Sequence, residues 1–192
     1  MKEIDKFSKI TTFIEGLYLI EIINFKDQRG NFTEFYNKKE FENIGLKLDF
    51  VQDNYIKSKK GALRGLHLQT EHPQGKLARV IKGIFYDVIV DLREDSKSYG
   101  EYYGIILSEE EGKMLYIPEG CAHGLIALSD EAEFMYKTTD YYYPEYATGI
   151  IWNDRDLAID WPLEEYGIKE GEIILSDKDK NLPTLQEYKA ND

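Results

Sequence analysis

The chain has 192 residues, with 24 Lys plus Arg against 36 Asp plus Glu and a formal net charge of −12 at pH 7. Its length suits one domain over 1–192, its 42% hydrophobic and 14% aromatic content excludes a disordered chain, and its acidity disfavours nucleic acid and anionic membrane surfaces as partners. The one cysteine, Cys121, excludes an internal disulfide framework and suits a reducing cytoplasm.

The opening "MKEIDKFSKITTFIEG" holds no apolar leader core, and no later run is long and apolar enough to span a bilayer. "LYLIEII" then reads as a strand, "KDQRGN" as a break and "NFTEFY" as another strand. "NKKEFENIG" reads as a short helix, with Asn37 as cap, Glu40 three residues on and Gly45 as its stop. Further strand-like runs follow: "FVQDNYI", "IFYDVIVDL", "YYGIILS", "MLYIP", "GLIALS" and "EFMYKTT", separated by breaks such as "LREDSKSYG" and "LSEEEGK". The 15 tyrosines and the many Ile and Val agree with strand propensity. Many short strands with Gly, Asp and Ser between them point to an all-β sandwich or barrel. The tail "DKDKNLPTLQEYKAND" reads as irregular or weakly helical.

The stretch "GALRGLHLQTEHPQGKLARVIKG", residues 61–83, gathers Arg64, His67, His72 and Lys76 in an otherwise acidic chain. A metal site, an anion-binding catalytic site and plain strand decoration all fit these residue types. "GKMLYIPEGCAHG" carries Pro118, Gly120 and His123 as P-x-G-x-x-H, which resembles the second motif of the cupins, double-stranded β-helix jelly rolls. A metal-binding cupin would have a second imidazole in its first motif. Here "GLHLQ" puts Gln69 in that place, and an amide is a poor ligand for a first-row metal. The metal reading is the weaker one, since only His67 and His123 have a case as converging ligands.

Longer segments carry a fuller resemblance. "DQRGNFTEFY", "FVQDNYIKSKKGALRGLHLQ", "QGKLARVIKGIFYDVIVDLR", "YIPEGCAHGLIALSDEAEFMYKTTDYYYP", "GIIWND", "IDWP" and "LSDKD" together, in this order, resemble the dTDP-4-dehydrorhamnose 3,5-epimerase family. The resemblance implies a cupin-like jelly roll with a few short helices, a homodimer, a dTDP-sugar substrate and no cofactor. It also implies roles. His67 resembles the base, with Asp179 as its carboxylate partner. Tyr136 resembles the acid on the opposite face, and Lys76 the group that stabilises the enolate oxygen. Arg29, Arg64 and Lys178 are similar to the residues that hold the diphosphate. Gln52, Asn54, Glu34 and His123 match polar positions around sugar and nucleotide, and Tyr142 of "DYYYP" resembles the ring that stacks on thymine. These types suit the chemistry: an imidazole moves protons near neutral pH, and a guanidinium grips phosphate by its fork.

Each residue also has a plainer reading. His67 reads as a hydrogen-bonded strand histidine, Tyr136 as a core tyrosine, Asp179 as part of an S-x-x-D cap with Ser176, Arg29 as a solvated turn residue and His123 as a donor to a buried carbonyl. Strict strand alternation puts Arg64 and His67 on opposite faces, so a shared pocket requires a kink or bulge at Gly65. Two departures from the family pattern stand out: a long segment between "WP" and "LSDKD", and Cys121 where an aromatic is expected. Cys121 reads as structural, since no base flanks it. A mono-epimerase acting at one carbon, a metal-dependent cupin oxygenase and a non-catalytic nucleotide-sugar binder are the rival functions.

Overall fold

The computed structural model describes residues 6–191, so the first five residues of the opening segment and Asp192 lie outside the described residues. The strands are β1 (Phe7–Thr11), β2 (Tyr18–Ile22), β3 (Asn24–Asp27), β4 (Gly30–Thr33), β5 (Gln52–Lys59), β6 (Leu63–Gln69) and β7 (Lys76–Lys82), then β8 (Ile84–Asp91), β9 (Tyr102–Ser108), β10 (Lys113–Ile117), β11 (Cys121–Ala127), β12 (Glu131–Thr138) and β13 (Ala147–Gly149). The short helices are α1 (Lys38–Asn43), α2 (Asp177–Lys180) and α3 (Leu185–Asn191). Two antiparallel sheets face each other, in the orders β1-β2-β10-β7-β12-β5 and β13-β6-β11-β8-β9. This is a jelly roll. The β3–β4 hairpin forms a separate two-stranded sheet.

Ala78, Val80, Leu115, Ile117 and Phe134 of the first sheet meet Phe85, Ile89, Leu107, Leu125 and Ala127 of the second in one core. The outer face of the second sheet is also covered. Leu66, Val88, Val90 and Ile126 pack there against Trp152, Leu157, Trp161 and Leu185. This double cover explains why β8 and β11 read as unbroken apolar runs rather than alternating ones. A third cluster sits outside the first sheet, where Ile20, Leu77 and Met114 are capped by Phe41 of α1.

α1 forms where expected. Asn37 accepts from the backbone of Lys39 and Glu40. Its end is a Schellman turn: Gly45, at φ +81, donates to Glu42 O and Leu46 donates to Phe41 O. The tail is more ordered than its sequence suggests, since α2 and α3 both form. The long segment before them folds onto the outer face of the second sheet, where Trp161 Nε1 donates to Trp152 O at 3.0 Å. Its end is pinned to the start of β6: Leu63 donates to Ile174 O and Ile174 donates to Gly61 O. That pinning delivers α2 beside β6. Among the described residues, no helix is long and apolar enough to cross a membrane.

Candidate active site

Between the two sheets lies a cavity of about 350 Å³. One wall comes from β6 and β11 and carries Arg64, His67 and His123; the other comes from β7 and β12 and carries Lys76 and Tyr136. Lys178 and Asp179 of α2 close one side, and Tyr142 stands at the rim.

Arg64 and His67 share the cavity because β6 carries an extra residue. His67 pairs with His123 and Arg64 with Leu125, so three steps along β6 match two along β11. This is a β-bulge. Gly65 sits in it at φ +121, and a Cβ there would come within 2.5 Å of Gly124 Cα and 2.8 Å of His123 O. Only glycine allows both the conformation and the approach.

His67 Nε2 lies 2.5 Å from Asp179 Oδ1. Burial pushes the Asp179 carboxyl up, but the His67 hydrogen bond and charge, with Ser176 and Lys178, outweigh it and hold the group below its ordinary value. The Ser176 hydroxyl accepts from Asp179 N at 3.1 Å. The cap reading and the partner reading of Asp179 therefore describe one arrangement, in which the cap presents the carboxylate to the imidazole.

Lys76 is buried, and its Nζ donates to His67 O at 3.4 Å. Burial pushes this ammonium down to about 8, against the pull of Asp87 and Cys121, which favour its charge. Tyr136 is pushed up by burial, opposed by the Arg64 charge. It is a phenol throughout the neutral range. The Arg64 Nε donates to Ser58 Oγ at 3.5 Å, a long contact that leaves most of the guanidinium to a ligand.

The three tyrosines of "DYYYP" separate cleanly. Tyr142 lines the cavity, Tyr143 stacks on His72 at 4.4 Å between ring centroids, and Tyr141 is exposed. Gln69 holds this rim. Its amide donates to His72 O and Tyr141 O and accepts from Tyr143 N. The residue standing where a metal-binding cupin needs an imidazole is thus spent on backbone. Among the described residues, no group of three or more His, Cys, Asp or Glu side chains is placed to hold a metal ion. Gln52 and Asn54 stand behind Tyr142 rather than in the cavity: Gln52 donates to Asn54 Oδ1 at 2.8 Å and accepts from Tyr142 N at 3.3 Å.

Two further residues that the family resemblance assigns to substrate also lie outside the cavity of their own chain. Arg29 sits at the turn of the β3–β4 hairpin, exposed and paired with Asp27. Glu34 binds Lys6 and Asn37. Cys121 is buried beside Asp91, in the core between the sheets rather than on the cavity wall, and burial pushes its thiol up to about 12.

One feature goes beyond the residues marked in the sequence. His123 Nε2 lies 2.5 Å from Asp87 Oδ1, and Asp87 has no exposed surface. The visible signal is the single carboxylate in the middle of "IFYDVIV".

A jelly roll that sets an imidazole–carboxylate pair across a cavity from a phenol and an ammonium has the parts of a proton-transfer enzyme. The model of the dTDP-4-dehydrorhamnose 3,5-epimerase family matches residues 11–187. A dTDP-4-dehydrorhamnose 3,5-epimerase of Methanothermobacter thermautotrophicus is 49% identical over 182 residues, 95% of this chain and 96% of its own. One from Escherichia coli is 48% identical over 93% of this chain and 94% of its own. The crystal structure of a 3,5-epimerase from Legionella pneumophila in complex with dTDP-4-keto-L-rhamnose superposes with a TM-score of 0.89 at 42% identity, over 96% of both chains. The chain belongs to the dTDP-4-dehydrorhamnose 3,5-epimerase family.

Proposed function

We propose that this protein is an isomerase that epimerises dTDP-4-dehydro-6-deoxy-D-glucose at C3 and C5, giving dTDP-4-dehydro-L-rhamnose for dTDP-L-rhamnose synthesis. The observation that carries the reading is the placement of His67 and Tyr136 on opposite walls of one cavity, one from each sheet. Epimerisation takes a proton from one face of a carbon and returns one to the other. The C4 ketone makes the neighbouring hydrogens acidic because the carbanion delocalises into an enolate. His67 takes the proton, with Asp179 fixing its ring and favouring the imidazolium that forms. Lys76 stabilises the enolate oxygen from a buried position, where a charge acts more strongly than in water. Tyr136 returns a proton from the other side. No electrons are gained or lost, so the reaction needs no redox cofactor.

Arg64 and Lys178 are placed to hold the diphosphate, and Tyr142 to stack on the base. Arg29 and Glu34 lie outside the cavity of their own chain, so a role at the substrate calls for another copy. We therefore propose a homodimer in which the β3–β4 hairpin of each copy meets the other. Among the described residues the hairpin pairs with no other strand, and it carries Phe32, 68% exposed, and Phe25, 39% exposed. Large exposed aromatics on an unpaired hairpin favour a covered state. Sedimentation would settle the oligomer. The lone Cys121, with no second thiol to pair with, suits a reducing compartment, and we propose a cytoplasmic location on that ground.

Proton NMR of the substrate in D₂O, with EDTA present, tests the reaction. Deuterium at both C3 and C5 is the expected result. Exchange at one carbon would make the protein a mono-epimerase. Exchange at neither would overturn the reading for this substrate.

A further inference from the structure

On the epimerase reading above, we infer that Asp87 is a positioning residue of the active site, which holds the His123 ring by its Nε2 and so leaves Nδ1 to the substrate.

The geometry is specific. Asp87 lies in the middle of β8, with Phe85, Val88 and Ile89 around it in sequence, all fully buried. A carboxylate is costly in such a strand, where a Val or Ile would pack without penalty. Its Oδ1 is 2.5 Å from His123 Nε2, and its Oδ2 is buried with no hydrogen-bond partner among the described residues. All of its bonding therefore goes to one ring. His123 in turn lines the cavity on β11, directly across the strand pair from His67. With Nε2 taken, Nδ1 is the ring nitrogen open to a ligand. The same negative charge favours the protonated form of Lys76 on the facing sheet. One buried carboxylate thus bears on two groups that meet the reacting sugar, without meeting it itself.

Asp87→Asn tests this, because it keeps the size and removes the charge. Turnover by D₂O exchange is expected to fall about 10-fold or more, the usual scale for losing a partner that orients a functional imidazole, while KM stays within about 3-fold because no substrate contact is lost. In ¹⁵N-histidine-labelled protein, the wild type should show a downfield carboxylate-bonded N–H signal that His123→Gln removes. Asp87→Asn should shift that signal and leave the one from His67 in place. Unchanged kcat per folded molecule in Asp87→Asn, or a wild type with no such His123 signal, would overturn the proposal. The wild-type spectrum and the kcat of His123→Gln, expected to fall similarly, keep the test open even where Asp87→Asn does not fold. A wild type that exchanges neither carbon overturns the epimerase reading instead, and the His123 signal then still decides whether Asp87 holds the ring.

Discussion

Two histidine–carboxylate pairs stand on neighbouring strands of one sheet, and they differ in what reaches them. His67 and His123 face each other across the β6–β11 ladder, and each puts Nε2 at 2.5 Å from an aspartate. The His67 side chain is 38% exposed and that of Asp179 5%, whereas His123 and Asp87 are 7% and 0% exposed. The contact is the same and the task is different. An open imidazole can hand its proton on, which a base must do twice in a double epimerisation. A closed one keeps its orientation. The carboxylates also arrive differently: Asp179 rides on a four-residue helix at the end of an irregular segment, while Asp87 is built into a strand of the core. The open pair is added to the fold and the closed pair is part of it.

The largest effect that this contrast predicts is on the open side. His67→Ala or Tyr136→Phe should cost about 10²-fold or more in exchange rate, as expected for a general base or acid. Normal dTDP binding together with normal turnover in both variants would end the contrast at once.

The two aspartates sharpen it, because their effects on rate and on stability should run in opposite orders. Asp179→Asn should lose about 10²-fold in rate, since the base loses its orienting charge. Its stability should change by less than about 1 kcal/mol, because water can reach His67. Asp87→Asn should lose less rate but about 1–3 kcal/mol of stability, the cost of leaving a buried polar group poorly paired. Urea unfolding of both variants beside their exchange rates provides the comparison. Equal stability losses would mean that exposure does not separate the pairs.

How far this was legible in the sequence follows the same division. Both members of the open pair were marked by the family motifs, and the conflict between Arg64 and His67 on an ideal strand pointed to a kink or bulge at Gly65. In the closed pair only His123 was marked; its partner Asp87 was not, because β8 is buried on both faces and reads as one apolar run in which Asp87 breaks no period. Strands β1 and β3 escaped for the opposite reason. They are short and largely exposed, so no alternation shows. No spacing rule separates Tyr142 from its two neighbours, since the choice is made by Gln69, more than seventy residues away in the chain. Nor does a sequence say whether Arg29 and Glu34 serve their own cavity or that of another copy.

Lys76 extends the contrast to pH. It faces both pairs from the other sheet. Its pKa is about 8 when folded, against an ordinary 10.5. The unfolded chain therefore binds more protons between about 8 and 10.5, so stability should rise with pH across that window. Below about 8 the cost of burying the charge is present in full. Lys76→Met removes it, and should stabilise the protein at pH 7 by something on the order of 2–3 kcal/mol while abolishing most activity. In the wild type, kcat should fall as pH passes about 8 and the ammonium is lost. A Lys76→Met variant that is less stable at pH 7 would show that Asp87 compensates the charge better than burial penalises it.

The smallest predicted effect lies in the core beside the closed pair. Cys121 is two residues from His123 on β11, is only 2% exposed, and has its thiol pushed up to about 12 by burial. A thiolate is the reactive form, so a buried thiol this far above neutral pH should resist alkylation. Treatment of the native enzyme with iodoacetamide at pH 7.5, a condition set about the neutral range, should leave both mass and exchange rate unchanged. Labelling should appear only with urea, in step with unfolding. Rapid labelling of the folded protein would mean that β11 opens to solvent. His123 and Asp87 would then share that opening, and the distinction between an open and a closed pair would lose its basis.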